Sequence, residues 1–155
     1  MKKLEILFLD DTNIDDISFL ENNSNITYLN LSHSKNIKDY SYIKSCEKLD
    51  VLSINRSNID DISFLEKTKK IKELYLSGSR SIKDFSYIKY LEKLEKLYLR
   101  DTNIINISFL ISNKNIKKIN LEDCYFISDL SALKVLKRLN KNIKIYISSN
   151  YGENF

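Results

Sequence analysis

Apolar side chains recur along the chain in one spacing, L-x-x-L-x-L, seen as Leu4, Leu7 and Leu9 and again as Leu94, Leu97 and Leu99. The alternation over its last three positions is that of a strand with one buried face. Three further apolar registers follow each strand. The first is Ile14, Ile37, Ile59, Ile82, Ile104 and Ile127; the second is Ile17, Tyr40, Ile62, Phe85, Ile107 and Leu130; the third is Leu20, Ile43, Leu65, Ile88, Leu110 and Leu133. These positions fill a core from the return side. The units begin at Leu4, Ile26, Leu49, Ile71, Leu94 and Ile116, so their starts lie 22, 23, 22, 23 and 22 residues apart. Self-similarity at such a period predicts a solenoid, and the alternation makes a pair of units the deeper repeat.

One strand per unit, joined by right-handed crossovers, predicts an α/β solenoid with a parallel sheet on its concave face and short helices or 3-10 turns on its convex face. A serine stands in every return segment: Ser18, Ser41, Ser63, Ser86, Ser108 and Ser131. With Glu21 and Glu66 three places on, Ser18 and Ser63 read as capping boxes. A terminal strand near 143–148 follows the sixth repeat. Proline is absent and glycine occurs only at Gly78 and Gly152, so no linker divides the chain, and residues 1–155 read as one domain.

These residues resemble leucine-rich repeats of the short class, found in internalins and in the leucine-rich regulator of protein phosphatase 1, whose returns follow a similar I-x-D-I/L-S-x-L pattern. The resemblance runs from residue 4 to about 133 and is carried by six consecutive copies. Where that family usually places an asparagine in the turn, this chain has Thr12, Ser34, Ser57, Ser79, Thr102 and Cys124. A small hydroxyl or thiol there can still bond backbone groups that the turn leaves unpaired. The even repeats, with one extra residue and the run Leu121-x-x-Cys124-x-x-Ile127, look more like the cysteine-containing repeats of F-box proteins.

On the concave face the strand positions between core residues vary from repeat to repeat. The middle register reads Phe8, Asn30, Ser53, Tyr75, Tyr98 and Asn120; the one two places earlier reads Ile6, Tyr28, Val51, Glu73, Lys96 and Lys118. Beyond them come Asp10, Ser32, Asn55, Ser77, Arg100 and Glu122, then Asp11, His33, Arg56, Gly78, Asp101 and Asp123. Varied side chains on a rigid sheet are how repeat solenoids bind partners. Tyrosine and arginine are the usual anchors of interfaces, which singles out Tyr28, Arg56, Tyr75, Tyr98 and Arg100 as the expected partner-binding residues.

The net charge of +4 matters less than its placement: residues 1–25 hold two bases against six acids, and residues 111–155 hold eight bases against four acids. An acidic start and a basic end make weak head-to-tail self-association an expectation, and a structural or stacking fragment the alternative to a partner-binding module. The basic end also raises nucleic acid or an acidic membrane face as a weaker alternative. Its lysines are not interleaved with exposed aromatics, which reads as a solvated helix. No apolar run is long enough for a signal peptide or a membrane span, so the expected location is cytoplasmic. Cys46 and Cys124 are more than three repeats apart, beyond the roughly 7 Å that a disulfide spans, and are expected to be free thiols.

Chemistry is conspicuously thin. There is no phosphate-cradling glycine motif, no H-E-x-x-H and no C-x-x-C, and His33 is the only histidine. No catalytic residue, metal, cofactor or small-molecule substrate is expected. The acid pairs Asp15 with Asp16 and Asp60 with Asp61 recur at one turn position and read as solvated turn residues. The aromatic stripe Phe19, Tyr42, Phe64, Tyr87 and Phe109 reads as a lid on the outer edge of the core, with a docking stripe as its alternative.

Overall fold

The computed structural model describes residues 4–152. Seven parallel strands form one open sheet in sequence order: β1 (Ile6–Phe8), β2 (Tyr28–Asn30), β3 (Val51–Ser53), β4 (Glu73–Tyr75), β5 (Lys96–Tyr98), β6 (Lys118–Leu121) and β7 (Lys144–Ile147). The register stacks like on like, so that Leu29, Leu52, Leu74, Leu97 and Ile119 form one column. All five are fully buried. The returns are 3-10 turns of four or five residues in the first five repeats, and an α-helix, α1 (Ser131–Leu139), in the sixth. The core is a single cluster running the length of the solenoid.

The returns are not started by capping boxes. Ile17 and Ile62 occupy the N-cap positions, and neither makes a side-chain cap bond. The cap comes instead from the side chain two places before each serine, an aspartate in every repeat but the fifth, which has Asn106. The amide of Ser18 donates to Asp16 Oδ1 at 2.7 Å, and Ser41, Ser63, Ser86, Ser108 and Ser131 do the same to Asp39, Asp61, Asp84, Asn106 and Asp129. A carboxylate placed there meets an amide that a short 3-10 turn leaves unpaired. Asp16 and Asp61, one member of each recurrent acid pair, are therefore turn caps. The bond also lowers the carboxyls of Asp39, Asp84 and Asp129 below the ordinary aspartate value.

The turn that follows each strand uses the left-handed conformation. Asp11, His33, Arg56, Gly78, Asp101 and Asp123 all have φ between 50° and 72°. In the first five repeats this residue's amide donates to a backbone carbonyl of the next repeat, as from Arg56 to Ser77 at 2.8 Å. Aspartate and glycine suit that conformation; arginine and histidine are held in it by the neighbouring repeat. At Gly78 a Cβ would come within 2.7 Å of Arg56 Cγ, so the glycine also makes room for the arginine stem.

The pairing of repeats has a physical counterpart just beyond that turn. Thr12 Oγ1 and Ser34 Oγ both donate to the carbonyl of Leu9, at 2.7 and 2.6 Å. Ser57 and Ser79 share the carbonyl of Ile54, and Thr102 and Cys124 share that of Leu99. One carbonyl with two lone pairs thus ties an odd repeat to the even repeat after it. At the far end Tyr151 takes over this function. Its hydroxyl donates to the Cys124 carbonyl at 2.6 Å and accepts from the Ile127 amide at 3.0 Å. Tyr151 thus folds back over the sixth repeat, while residues 153–155 lie outside the described residues.

Candidate functional site: the concave face

The concave face falls into three parts. At the first strands it is apolar: Ile6 and Phe8 are exposed, and the Phe8 and Tyr28 rings lie 5.0 Å apart. The middle is polar and self-satisfied. Ser32 and Ser53 are buried despite their outward register, and their hydroxyls lie 2.8 Å apart. Asn55 donates from its backbone to Ser32 Oγ and from its side chain to Ser53 Oγ, and its own Oδ1 accepts from the Ser77 amide. A ladder with its donors already placed offers little to a partner.

The third part, over β4 to β7, is aromatic and charged. Tyr75 and Tyr98 are paired residues of β4 and β5, and their rings stack at 4.6 Å with an angle of 6° between planes. The strand spacing of about 4.8 Å sets that separation. Neither ring can rotate without losing its neighbour, so the pair forms a flat, preorganised surface.

The charges around the pair are tightly arranged. Tyr75 donates its hydroxyl to Glu73 Oε2 at 2.6 Å, and Lys96 Nζ contacts Glu73 Oε1 at 2.8 Å. Glu73, read from sequence simply as a varied outward position, is thus half-buried and engaged twice. Partial burial pushes its carboxyl up, but the bonds from Lys96 and Tyr75 outweigh it and leave the group below its ordinary value. Burial and then the Glu73 carboxylate push the Tyr75 phenol well above its own, so it remains a neutral donor. Arg100 Nε contacts Asp123 Oδ2 at 2.9 Å, which fixes the guanidinium along the strand ends.

The five residues singled out in the sequence do not form one cluster. Tyr75 and Tyr98 stack, and Arg100, two places beyond Tyr98, engages Asp123 and Glu122. Tyr28 sits in the other outward register, beside Phe8 and separated from β4 by β3. Arg56 lies past the end of β3 in the left-handed turn, exposed, with its stem against Gly78. Tyr146 was missed on this face, and Lys118 was read only as a varied outward position. Tyr146 on β7 pairs with Asn120, and Lys118 Nζ lies over both the Tyr98 and Tyr146 rings, at 5.1 and 5.2 Å. The signal for Tyr146 was the terminal strand itself, whose outward register was not followed past the sixth repeat.

The return side offers less. Phe64 is buried, Tyr42, Tyr87 and Phe109 are half-buried and Phe19 is 38% exposed, so the stripe closes the core's outer edge. A shallow cleft of about 230 Å³ lies between the fourth and fifth returns, lined by Phe85, Ile105 and Phe109 among others. Among the described residues no group of three or more His, Cys, Asp or Glu side chains could hold a metal ion, and no helix is long and apolar enough to cross a membrane.

Comparison with known proteins agrees with this architecture. Residues 92–135 match the family model described as Leucine Rich repeats (2 copies). Among solved structures, an internalin (inlF) from Listeria monocytogenes is similar with a TM-score of 0.80 and 26% identity, over 94% of this chain and 40% of that one. A second internalin from the same bacterium is similar with a TM-score of 0.78 and 25% identity, over 94% of this chain and 60% of that one. The chain therefore spans less than two thirds of the length of either internalin. No curated protein matches it. Six stacked short repeats, a family model matched within them and a fold shared with internalins together make this chain a leucine-rich repeat solenoid.

Proposed function

We propose that the chain is a non-catalytic protein-interaction module that holds a partner protein on its concave sheet, with Tyr75, Tyr98 and Arg100 as the anchors. The stacked tyrosine pair carries this reading: two large rings on a rigid sheet have little conformational entropy left to lose on binding. Tyr28 and Arg56 contribute at two further, separate points of contact. The leucine-rich repeat fold supports interaction as the task, and the whole chain is read as one unit because its sheet and core run unbroken through the described residues. Two buried free thiols accord with a reducing, cytoplasmic setting. Capture from native lysate followed by mass spectrometry identifies the partner. Changing Tyr75, Tyr98 and Arg100 together to alanine should then weaken its binding by more than about 2 kcal/mol with the melting curve nearly intact. Unchanged affinity moves the site to the return stripe or the ends.

A second reading, weak head-to-tail self-association, is favoured by one observation. Leu4, Ile6 and Phe8 are 46%, 56% and 60% exposed beside β1, which among the described residues pairs on one side only, with acidic neighbours. Sedimentation at low salt and high concentration tests it, and a strict monomer ends it.

A further inference from the structure

Several ionised side chains of adjacent repeats in this solenoid meet a partner of opposite sign. Lys72 meets Asp50 at 3.2 Å, Lys83 meets Asp60 at 2.6 Å, Lys117 meets Glu95 at 2.8 Å and Arg100 meets Asp123 at 2.9 Å. One outward column of the sheet instead sets like charges side by side. The outward register running through β4 to β7 reads Glu73, Lys96, Lys118, Lys144, each paired with the next. Only Lys96 has a carboxylate partner, Glu73. Among the described residues neither Lys118 nor Lys144 has a carboxylate within ion-pair distance; Lys118 lies instead over the rings of Tyr98 and Tyr146. Like charges placed directly opposite across strands repel, so the free molecule holds an unfavourable arrangement that a bound anion would relieve. Tyr146 is 41% exposed and stands beside Lys118, which is itself half-buried.

We propose that the concave face over β5 to β7 seats an acidic segment of the partner protein, its carboxylates on Lys118 and Lys144 and its flanks against the Tyr98 and Tyr146 rings. This inference rests on the concave-face reading and names the chemistry of the partner. A protein segment fits better than a nucleic acid, because the lysine row is bordered by Glu73 on one side and by Glu122 and Asp123 at the strand ends. A short run of carboxylates fits between those acids, whereas a long phosphate backbone would have to cross them. The remainder of the face follows the same logic: an apolar stretch of the partner would meet Ile6, Phe8 and Tyr28 at the opposite end.

The test uses the full chain and a short fluorescein-labelled oligoglutamate peptide, read by anisotropy. The wild type should bind it in a salt-sensitive manner, and Lys118→Gln with Lys144→Gln should weaken binding by at least about tenfold. Lys144→Gln alone should keep or raise the thermal midpoint, since it removes a repelled charge that makes no bond. No peptide binding by the wild type, equal binding by the double variant, or a lowered midpoint for Lys144→Gln overturns the inference. Stronger binding of a single-stranded oligothymidylate through the same two lysines overturns it in favour of nucleic acid. The captured partner separates the two readings. If the double lysine variant binds it like wild type while the Tyr75, Tyr98 and Arg100 variant does not, the acidic segment is wrong and the concave site stands. If neither variant loses binding, the concave site is wrong as well.

Discussion

Leu74→Ala is the sharpest test of how the repeats are held together. Leu74 is fully buried in β4, with Leu52 and Leu97 paired to it on either side. Truncation removes three carbon groups, worth about 0.8 kcal/mol each in lost transfer free energy, or roughly 2.4 kcal/mol. The column cannot close over the gap, because moving one leucine inward would shift its strand out of register with the next. The cavity term therefore adds to the transfer term, and the total should fall at about 3–5 kcal/mol. For a chain of this length that is a drop of roughly 6–20 °C in the melting midpoint. Its control is the adjacent residue. Glu73→Ala removes the Lys96 contact and the Tyr75 hydroxyl bond at the rim of the sheet, and both former partners can turn to water. Its cost should stay at or below about 1 kcal/mol. Urea melts of both variants decide the matter: equal losses would mean that the faces of β4 are assigned wrongly.

Three further outcomes follow. The carboxyls of Asp39, Asp84 and Asp129 are held below the ordinary value of 3.8 by bonds from the following serine, so their contribution is complete above that value and is lost as pH falls through the lower folded values; an acid titration of stability that stays flat below pH 3.8 would refute these caps. Burial pushes the Cys46 thiol up to about 11 and raises that of Cys124, so both should resist thiol reagents at neutral pH in the native protein and react in urea, and rapid native labelling of either would show an open core. Tyr151→Phe leaves the Cys124 carbonyl and the Ile127 amide without their shared partner and should cost about 1–3 kcal/mol, with amide exchange accelerating first in repeat six; unchanged exchange there would mean that the tail does not cap.

The core was legible because a leucine column needs identical registers: Leu52, Leu74 and Leu97 can be aligned by counting. The caps were not, because the serine and glutamate of S-x-x-E fit a known template while the acid two places earlier, Asp16 or Asp61, looked like an ordinary turn residue. Only geometry shows that a 3-10 turn this short presents its free amide to that side chain. The left-handed turn could have been inferred from Gly78 aligned with Asp11, Asp101 and Asp123, but Arg56 and His33 at the same place obscured it. At the candidate site the tyrosine stack followed directly from strand spacing. Tyr146 did not, since β7 is a strand without a full repeat behind it, and the place of Lys118 over the Tyr98 and Tyr146 rings depends on that strand. The burial of Ser32 and Ser53, which separates the apolar part of the concave face from the aromatic and charged part, depends on hydroxyls meeting across strands and has no sequence pattern of its own.

Amide chemical-shift mapping of the isotopically labelled chain, titrated with its captured partner, tests the central claim most directly. The account predicts the largest perturbations in β4 to β7, centred on Tyr75, Tyr98, Lys118 and Tyr146, with a smaller set at Phe8 and Tyr28 and almost none on the return turns. Perturbations confined to the returns at Tyr42, Tyr87 and Phe109, with the concave strands unmoved, would contradict it.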